Sequence, residues 1–463
     1  MGVDDGGETG GGSGRRKGEK WFLLQDSKHV VKTDAGDMKL VKGFAGKFIR
    51  SPIHIGFIKM EPRSLFIPQY LDSSLILFIH RGEAKVGHVY KDELVEQSLK
   101  MGDIYRIEAG SAFYLINTAE DQRLHVICSI DTSESLGWHT IQSFFIAGGT
   151  YPTSVLSGFD HSTLSAAFNV SKAELGKMLT RQNHGPIVYL SGSHSRSVWS
   201  KFLDMEQHHK LAHMRRIVHV RQQDIIDEEE DEQPTWSLRK FLFSVFGNAY
   251  ERRKDMGSES SKGPESYNIY DRKPDFKNDY GSTIALDASN YSPLMHDDVG
   301  VYLVNLTAGS MMAPHMNPRA TEYGIVLRGS GTIQIVYPNG SLAMKAKVKA
   351  GDVFWIPRYF PFCQTASENG PFEFFGFTTS ARDNKPQFLV GANSLLHELR
   401  GPEFEAAFEM SKERLNGIID AQRESVILPP SAAVATPVEV VDGGYKVAEM
   451  IRSFGNEVVM QFD

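Results

Sequence analysis

The sequence predicts an all-β-dominated protein with two β-barrels in tandem, each followed by a short α-helical arm. The main reason is that the two halves of the 463-residue chain repeat each other. Residues 164–182 (LSAAFNVSKAELGKMLTRQ) parallel residues 404–422 (FEAAFEMSKERLNGIIDAQ), and residues 100–107 (KMGDIYRI) parallel residues 349–356 (KAGDVFWI). Because the echoes keep the same order through most of each half, they indicate duplication of a whole domain.

Short segments rich in apolar and β-branched residues predict the strands of both barrels. In the first half they cover residues 54–60, 75–79 and 124–130. In the second half they cover residues 301–306, 322–327, 332–337 and 372–377. Gly, Pro, Asn and Asp separate these segments, as in the PNG turn at 338–340. Short strands at this spacing are typical of a sandwich or a barrel.

A helical arm is predicted after each barrel, at residues 161–182 and 400–422. In the first arm, Ser171 and Glu174 have the spacing of a capping box that opens a helix. The apolar residues of that helix fall on one face: Leu175, Met178 and Leu179. A single barrel offers only part of the surface needed to cover such stripes, so the arms predict a partner subunit.

The predicted domain layout follows from the repeat and from two polar stretches between its copies. The acidic run DEEEDE and a Gly/Ser-rich stretch flank a short apolar helix near the middle of the chain. The layout is a flexible Gly-rich tail at 1–19, a first barrel and arm at 20–220, a linker with a short helix at 221–264, a second barrel and arm at 265–440 and a C-terminal tail at 441–463.

Composition argues against several classes of protein. The net charge of −7 gives no global basic field, so neither nucleic acid nor an anionic membrane is expected as a partner. No apolar run approaches the roughly 20 residues that a membrane helix needs. The first residues (MGVDDGGETGGGSG) contain no apolar stretch that resembles a signal peptide. Cys128 and Cys363 are the two cysteines, too few for a disulfide framework.

The second half carries a spaced pattern of Gly, His and Glu. Gly309 is followed after five residues by His315, and Asn317 stands two positions further on. Glu322 follows after four residues, and Gly329 after six more. This pattern resembles the first motif of the cupin superfamily, in which a second His occupies the Asn317 position. The resemblance implies that both predicted barrels are cupin, or jelly-roll, barrels.

The second cupin motif is also degenerate. Gly351 reaches Pro357 at the right interval, but Phe362 occupies the position of the third His, and Cys363 comes directly after it. In cupins, three imidazoles and a carboxylate on neighbouring strands converge on one divalent metal. Two of these four ligands are replaced here, so the spacing indicates the fold more strongly than it indicates a metal. In the first half, the four places hold apolar or neutral residues: Gln69, Leu71, Leu75 and Phe113.

Several short segments narrow the resemblance to plant vicilins. They are PQYLD at 68–72, FNVS at 168–171, YNIY at 267–270 and IPRYFP at 356–361. The Cys that follows the degenerate His position resembles the vicilin-like branch. The resemblance implies a non-enzymatic seed storage protein, or nutrient reservoir. It also implies a homotrimer in which helical arms interlock, and a route through the secretory pathway to the protein storage vacuole.

The candidate site lies in the second barrel. The predicted metal ligands are His315, Cys363, Glu322 and Asn317, and a His/Cys pair favours copper or zinc. Three further side chains are predicted to contact a small carboxylate anion: Tyr70, Tyr323 and Phe362.

Other interpretations of these residues stay open at this level. His315 is either a ligand or a buried polar remnant that hydrogen-bonds to Glu322, and Cys363 is either a thiolate ligand or a packed apolar residue. The alternative functions are a metal-dependent cupin enzyme (an oxidase, a decarboxylase or a dismutase) and a cupin that binds a small molecule.

Overall fold

The structure, a computed structural model, describes residues 21–43, 53–90, 93–137, 140–190, 265–382 and 384–430. The predicted tails at 1–19 and 441–463 and the predicted linker at 221–264 lie outside these residues. Among the described residues, no helix is long and apolar enough to cross a membrane.

The first barrel consists of two antiparallel sheets. Its strands are β1 (Ser27–Thr33), β2 (Gly36–Val41), β3 (Ile53–Met60), β4 (Ser64–Leu71), β5 (Ser74–Arg81), β6 (Ala84–Tyr90), β7 (Glu93–Leu99), β8 (Asp103–Ile107), β9 (Phe113–Asn117), β10 (Leu124–Asp131), β11 (Ser143–Phe145) and β12 (Ile187–Tyr189). One sheet has the order β1-β2-β3-β10-β5-β8, and the other has the order β11-β4-β9-β6-β7 with β12 also paired to β4. The three strands predicted in this half are confirmed.

The second half repeats this arrangement. Its strands are β13 (Tyr267–Asn268), β14 (Phe276–Asn278), β15 (Gly281–Leu286), β16 (Gly300–Leu306), β17 (Met311–Met312), β18 (His315–Met316), β19 (Glu322–Val336), β20 (Leu342–Lys349), β21 (Val353–Ile356), β22 (Phe362–Ala366), β23 (Phe372–Thr378), β24 (Gln387–Phe388) and β25 (Ile427–Leu428). The path β14-β15-β16-β23-β19-β22-β17-β25 runs through a sheet that curls into the second barrel.

Strand β19 corrects the prediction of two separate strands at 322–327 and 332–337. It runs unbroken for 15 residues, with a shift of register between Val326 and Arg328 and a left-handed Gly329 at φ 78°. Such an irregularity bends a strand without ending it. One end of β19 can therefore pair with β21 and β23, while the other end pairs with β20 and β22.

A helical arm follows each barrel, as predicted, and both arms end in a pair of short helices. Their helices are α1 (His161–Phe168) and α2 (Lys172–Thr180) in the first arm, and α3 (Leu395–Glu398), α4 (Pro402–Phe408) and α5 (Lys412–Ile419) in the second. The Ser171 hydroxyl caps α2 by accepting a hydrogen bond from the Glu174 amide, and Ser411 caps α5 in the same way. Short 3₁₀ helices cover Val155–Gly158 and Ser292–Met295.

The barrels pack against each other through one sheet each. At the centre, the rings of Phe78 and Phe375 stack with centroids 3.9 Å apart. At the side, the Arg106 guanidinium donates two hydrogen bonds of 2.7 and 2.8 Å to the Asp297 carboxylate, and both side chains are at least nine-tenths buried. A stacked aromatic pair and a bidentate ion pair fix the docking of the two barrels.

Each half also places a short segment on the other barrel. Phe22 is fully buried against the second barrel, where the Trp355 indole donates to the Trp21 carbonyl at 2.6 Å. In the opposite direction, β13 pairs with β8 and adds a strand to the first barrel's sheet. The chain therefore crosses between the barrels at both of these points.

Candidate functional site

A cavity of about 660 Å³ opens into the second barrel. His315 and Glu322 line its inner part together with Tyr302 and Gln364. Polar and charged residues surround its mouth: Arg272, Asp275, Asp287, Asn384 and Lys385. The cavity occupies the position at which the cupin pattern places a metal, so it is the candidate site.

His315 lies at the start of β18 and is 2% exposed. Its Nδ1 is 2.7 Å from the Ala313 carbonyl oxygen. Because a carbonyl only accepts, Nδ1 carries the proton and Nε2 holds the lone pair. The ring packs against Phe362 at 4.0 Å and Phe388 at 5.1 Å between centroids. Burial lowers the pKa of His315 to about 4, so the imidazole is neutral near neutral pH.

Glu322 opens β19 and is held by Asn317. The Asn317 amide nitrogen donates to Oε1 of Glu322 at 3.2 Å, and its oxygen accepts from the backbone amides of Arg319 and Ala320. Burial raises the pKa of Glu322 to about 7, although the Asn317 hydrogen bond opposes the shift. The hydrogen bond expected between Glu322 and His315 is thus replaced by one between Glu322 and Asn317.

Two polar residues of the cavity were missed in the sequence. The hydroxyl of Tyr302 on β16 and the Oε1 of Gln364 on β22 are buried, and neither has a hydrogen-bond partner among the described residues. Tyr302 fits because its neighbour across the ladder is Gly376, where a Cβ would come within 2.3 Å of the tyrosine ring. Strand alternation was an available signal for Gln364, since it lies two residues after Phe362 on the same face.

Two of the seven predicted site residues, Asn317 and Phe362, do not line the cavity but contact residues that do. Three others do not reach it. Cys363 lies between Phe362 and Gln364 on β22, so its side chain points to the opposite face of that strand. Tyr323 follows Glu322 on β19 for the same reason, and it is fully buried in the core between the barrels.

Tyr70 is the third of these residues. It lies in strand β4 of the first barrel, not in a loop, and its ring stacks on Phe144 at 4.8 Å. It is not among the residues that line the cavity of the second barrel.

The residues of the cavity do not fit the expected copper or zinc centre. His315 and Glu322 line the cavity, but the Phe362 ring stands at the third His position and Cys363 faces away. Within the described ranges, no group of three or more His, Cys, Asp or Glu side chains is placed to hold a metal ion. Two protein donors fall short of the three that a catalytic zinc site uses.

The interior of the first barrel is a packed core. Leu71, Leu75 and Phe113 belong to one buried cluster with Cys128. Gln69 is 1% exposed, and neither end of its amide has a partner among the described residues. Sequence reasoning missed a buried polar pair here: the Tyr105 hydroxyl lies 2.9 Å from Nδ1 of His88.

Comparison with known proteins agrees with this geometry. The cupin family model matches residues 267–416, which include the candidate site. A vicilin-like seed storage protein of Arabidopsis thaliana is 53% identical over 426 residues, covering 91% of this chain and 82% of that protein. The chain belongs to the vicilin-like seed storage proteins. A second vicilin-like protein of Arabidopsis thaliana is 30% identical over 407 residues, covering 86% of this chain and 51% of that protein.

Solved structures show the same two-barrel fold. Vicilin from Capsicum annuum superposes with a TM-score of 0.71 at 19% identity, covering 88% of this chain and 99% of that one. Vicilin from Corylus avellana gives 0.68 at 22% identity, with the same coverage. The predicted tandem cupin fold is therefore confirmed. The protein functions as a vicilin-type storage protein and nutrient reservoir, and the comparisons do not support the enzyme alternative.

Proposed function

We propose that this vicilin-like protein is stored as a homotrimer in the protein storage vacuole. We also propose that the cavity of its second barrel binds a small carboxylate or phenolic anion without converting it. The unpartnered, buried Tyr302 hydroxyl in the wall of the cavity is the observation that carries the second statement.

Apolar side chains on both arms support assembly. Residues about half exposed in the monomer include Phe159 and Met178 on the first arm, and Leu399, Phe408 and Ile418 on the second. Burying a large apolar side chain contributes roughly 1.5–3 kcal/mol. Two unlike arms per chain allow a head-to-tail interface, and a head-to-tail rotation that closes gives a ring.

The chemistry of the cavity supports an anion that also has an apolar body. The Tyr302 hydroxyl can donate to a carboxylate, and below about pH 7 the Glu322 carboxyl is protonated and can donate as well. The neutral His315 offers its Nε2 lone pair to a phenolic hydroxyl. Lys385 at the mouth carries positive charge toward the anion, whereas Arg272 is paired with Asp275. A vicilin of Solanum melongena, 20% identical to this chain, is described as holding different anionic ligands in structurally similar pockets.

The donor set of the cavity supports binding without turnover. Among the described residues, no group of three or more His, Cys, Asp or Glu side chains is placed to hold a metal ion. Copper or zinc binding stays a prediction. Elemental analysis of the purified protein tests it, and stoichiometric metal would contradict the poor fit of the donor set.

Calorimetric titration with 4-hydroxybenzoate tests the ligand proposal. We expect Tyr302→Phe to weaken binding about tenfold, because the donor to the carboxylate is lost. Tyr323→Phe is the matched control, since it removes another buried tyrosine hydroxyl on the outer face of the same barrel. Equal affinity in the wild type and both variants, or no heat of binding, would contradict the proposal.

Light scattering tests assembly. We expect a particle near three times 51.7 kDa, and Ile418→Asp should shift it toward the monomer because a charge replaces a half-exposed apolar contact. Leu342→Asp, an equally exposed leucine on β20, is the control. A monomeric wild type at micromolar concentration would end the trimer proposal, and fractionation of seed tissue tests the compartment.

A further inference from the structure

A second, separate opening lies between the two barrels. This cleft has a volume of about 640 Å³. Its first wall is the outer face of β2, β3, β10 and β5, and its second wall is formed by β19 and the turn that leads into β21. Leu23, Leu24 and Gln25, which cross to the second barrel, close one end.

Basic side chains supply most of the ionisable groups that line the cleft. They are Lys39, Lys59, His80, His125 and Lys349. Asp352 is the one carboxylate among the described lining residues, and its Oδ2 accepts the Lys349 backbone amide at 2.9 Å. None of the three lysines forms an ion pair with a residue that the structure describes. Although the net charge of the chain is −7, three unpaired lysines therefore lie together in this cleft.

The two histidines lie beside these lysines, and Asp37, opposite Lys59 on the neighbouring strand, partly opposes the lowering of the pKa of His125 by burial. His125 pairs across the sheet with Lys59 on one side and with Arg81 on the other. Burial and then the neighbouring charge of His125 lower the pKa of His80, while burial and then Lys59 lower the pKa of His125. The Nδ1 of His80 is buried and has no hydrogen-bond partner among the described residues.

The matching turn of the first barrel is covered by Tyr270, and its lysine is paired with a carboxylate. The turn that begins at Lys100 corresponds to the turn that begins at Lys349, and in both an Asp three residues later accepts the lysine amide. In the first copy, Lys100 lies 3.4 Å from Asp271 in an ion pair. Tyr270 fills the space, since a Cβ on Gly102 would come within 2.3 Å of its ring. Duplication alone therefore does not explain the open cationic cleft.

We propose that the cleft between the barrels binds a compact polyanion of the phosphate class. Three ammonium groups and two imidazoles can neutralise several negative charges on one small ligand. A ligand with a single carboxylate would leave most of these basic groups unpaired. The buried Nδ1 of His80 supplies a directed donor when that ring is protonated. This site is independent of the anion proposed for the cavity of the second barrel.

Binding should be coupled to proton uptake. A bound polyanion favours the charged form of both imidazoles, so affinity rises as the pH falls from 8 to 6. The charged groups that face the two histidines are Asp37, Lys39, Lys59, Arg81, Arg123, Lys349 and Asp352. Cations outnumber carboxylates in this set, so without the ligand both rings stay neutral near pH 7.

Calorimetric titration of the full chain with tripolyphosphate at constant ionic strength tests the proposal. We expect Lys59→Gln and Lys349→Gln each to weaken binding at least fivefold. Lys100→Gln, at the matching position of the first barrel's turn, should change it less than twofold. His80→Gln should reduce the gain in affinity between pH 8 and pH 6. Circular dichroism of each variant establishes that it is folded.

Three results would overturn the proposal. The first is no binding of tripolyphosphate to the wild type. The second is an equal loss in Lys100→Gln and Lys349→Gln, which would assign binding to general surface charge. The third is tighter binding of citrate than of tripolyphosphate, which would assign the cleft to carboxylates.

Discussion

The interiors of the two barrels differ although their backbones correspond. On strands β3 and β10 of the first barrel, Gly56 leaves room for Cys128, whose Sγ would be 2.5 Å from a Cβ at the glycine. On strands β16 and β23 of the second barrel the order is reversed, and Gly376 leaves room for Tyr302. The small and the large residue have exchanged strands, so the same ladder builds a closed apolar core in one barrel and a polar cavity in the other.

This difference shows that strand pairing maintains the barrel, whereas the side chains that point inward determine whether it contains a cavity. The first barrel has apolar residues at three of the four former ligand positions, and they pack with their neighbours. The second barrel keeps His315 and Glu322 buried, with pKa values displaced in opposite directions by the same cause. Burying an ionisable group without a charged partner lowers stability, so the second barrel carries a cost at Glu322 that the first, with Leu75 there, does not.

The largest effect is expected from giving the first barrel the acid of the second. Leu75→Glu places a carboxyl in the first barrel, where Leu71 occupies the position of Asn317, so the donor that holds Glu322 has no counterpart. We expect a loss of about 3–5 kcal/mol in the free energy of unfolding, measured by urea denaturation. Leu75→Met is the control for changed shape, and it should cost less than about 1.5 kcal/mol. A small loss for Leu75→Glu would mean that the first barrel admits water.

A pH titration of stability sharpens the same comparison from the other side. The pKa of Glu322 is raised from 4.5 to about 7 in the folded protein, so the folded state binds more protons between these values. The contribution of Glu322 to the free energy of unfolding is therefore fully present below pH 4.5 and is lost as the pH rises toward 7. Glu322→Gln removes this fall.

We expect Glu322→Gln to gain stability over the wild type as the pH rises, reaching on the order of 3 kcal/mol above pH 7. Thermal unfolding from pH 4.5 to pH 8 measures the difference. The opposite shift of His315 acts in both proteins and cancels. A difference independent of pH would show that Glu322 is ionised at all these values.

The smallest expected effect compares two buried tyrosines. The Tyr105 hydroxyl contacts His88 at 2.9 Å, so Tyr105→Phe should lower stability by about 1–2 kcal/mol. The Tyr302 hydroxyl has no partner among the described residues, so Tyr302→Phe should leave stability unchanged or raise it by less than about 1 kcal/mol. Urea denaturation of both variants measures the pair. Equal losses would indicate that ordered water satisfies Tyr302.

The fold was predictable because the repeat and the strand pattern can both be recognised from the order of residues along the chain. The spacing from Gly309 to Glu322 located the buried group of His315, Asn317 and Glu322, since the motif itself fixes which strands meet. Cys363 and Tyr323 lie outside the cavity for a reason of geometry: each is the sequence neighbour of a cavity position, and neighbours on a strand face opposite ways.

Other features depend on contacts between distant parts of the chain. Tyr302 reaches the cavity through the pairing of β16 with β23, and no motif links it to the cupin pattern. The cationic cleft exists only because one barrel docks on the other. Its lining joins residues from 23 to 353, and neither half alone contains it.

The two crossing segments make the halves hold each other. Phe22 is buried against the second barrel, and Ile269, just after β13, is fully buried in the core between the barrels. A protease that cut the chain once between the barrels would leave two fragments that stay associated through both crossing segments. Such a protein would stay assembled after the first cleavages. Its amino acids would be released only when proteolysis reached the two crossing segments.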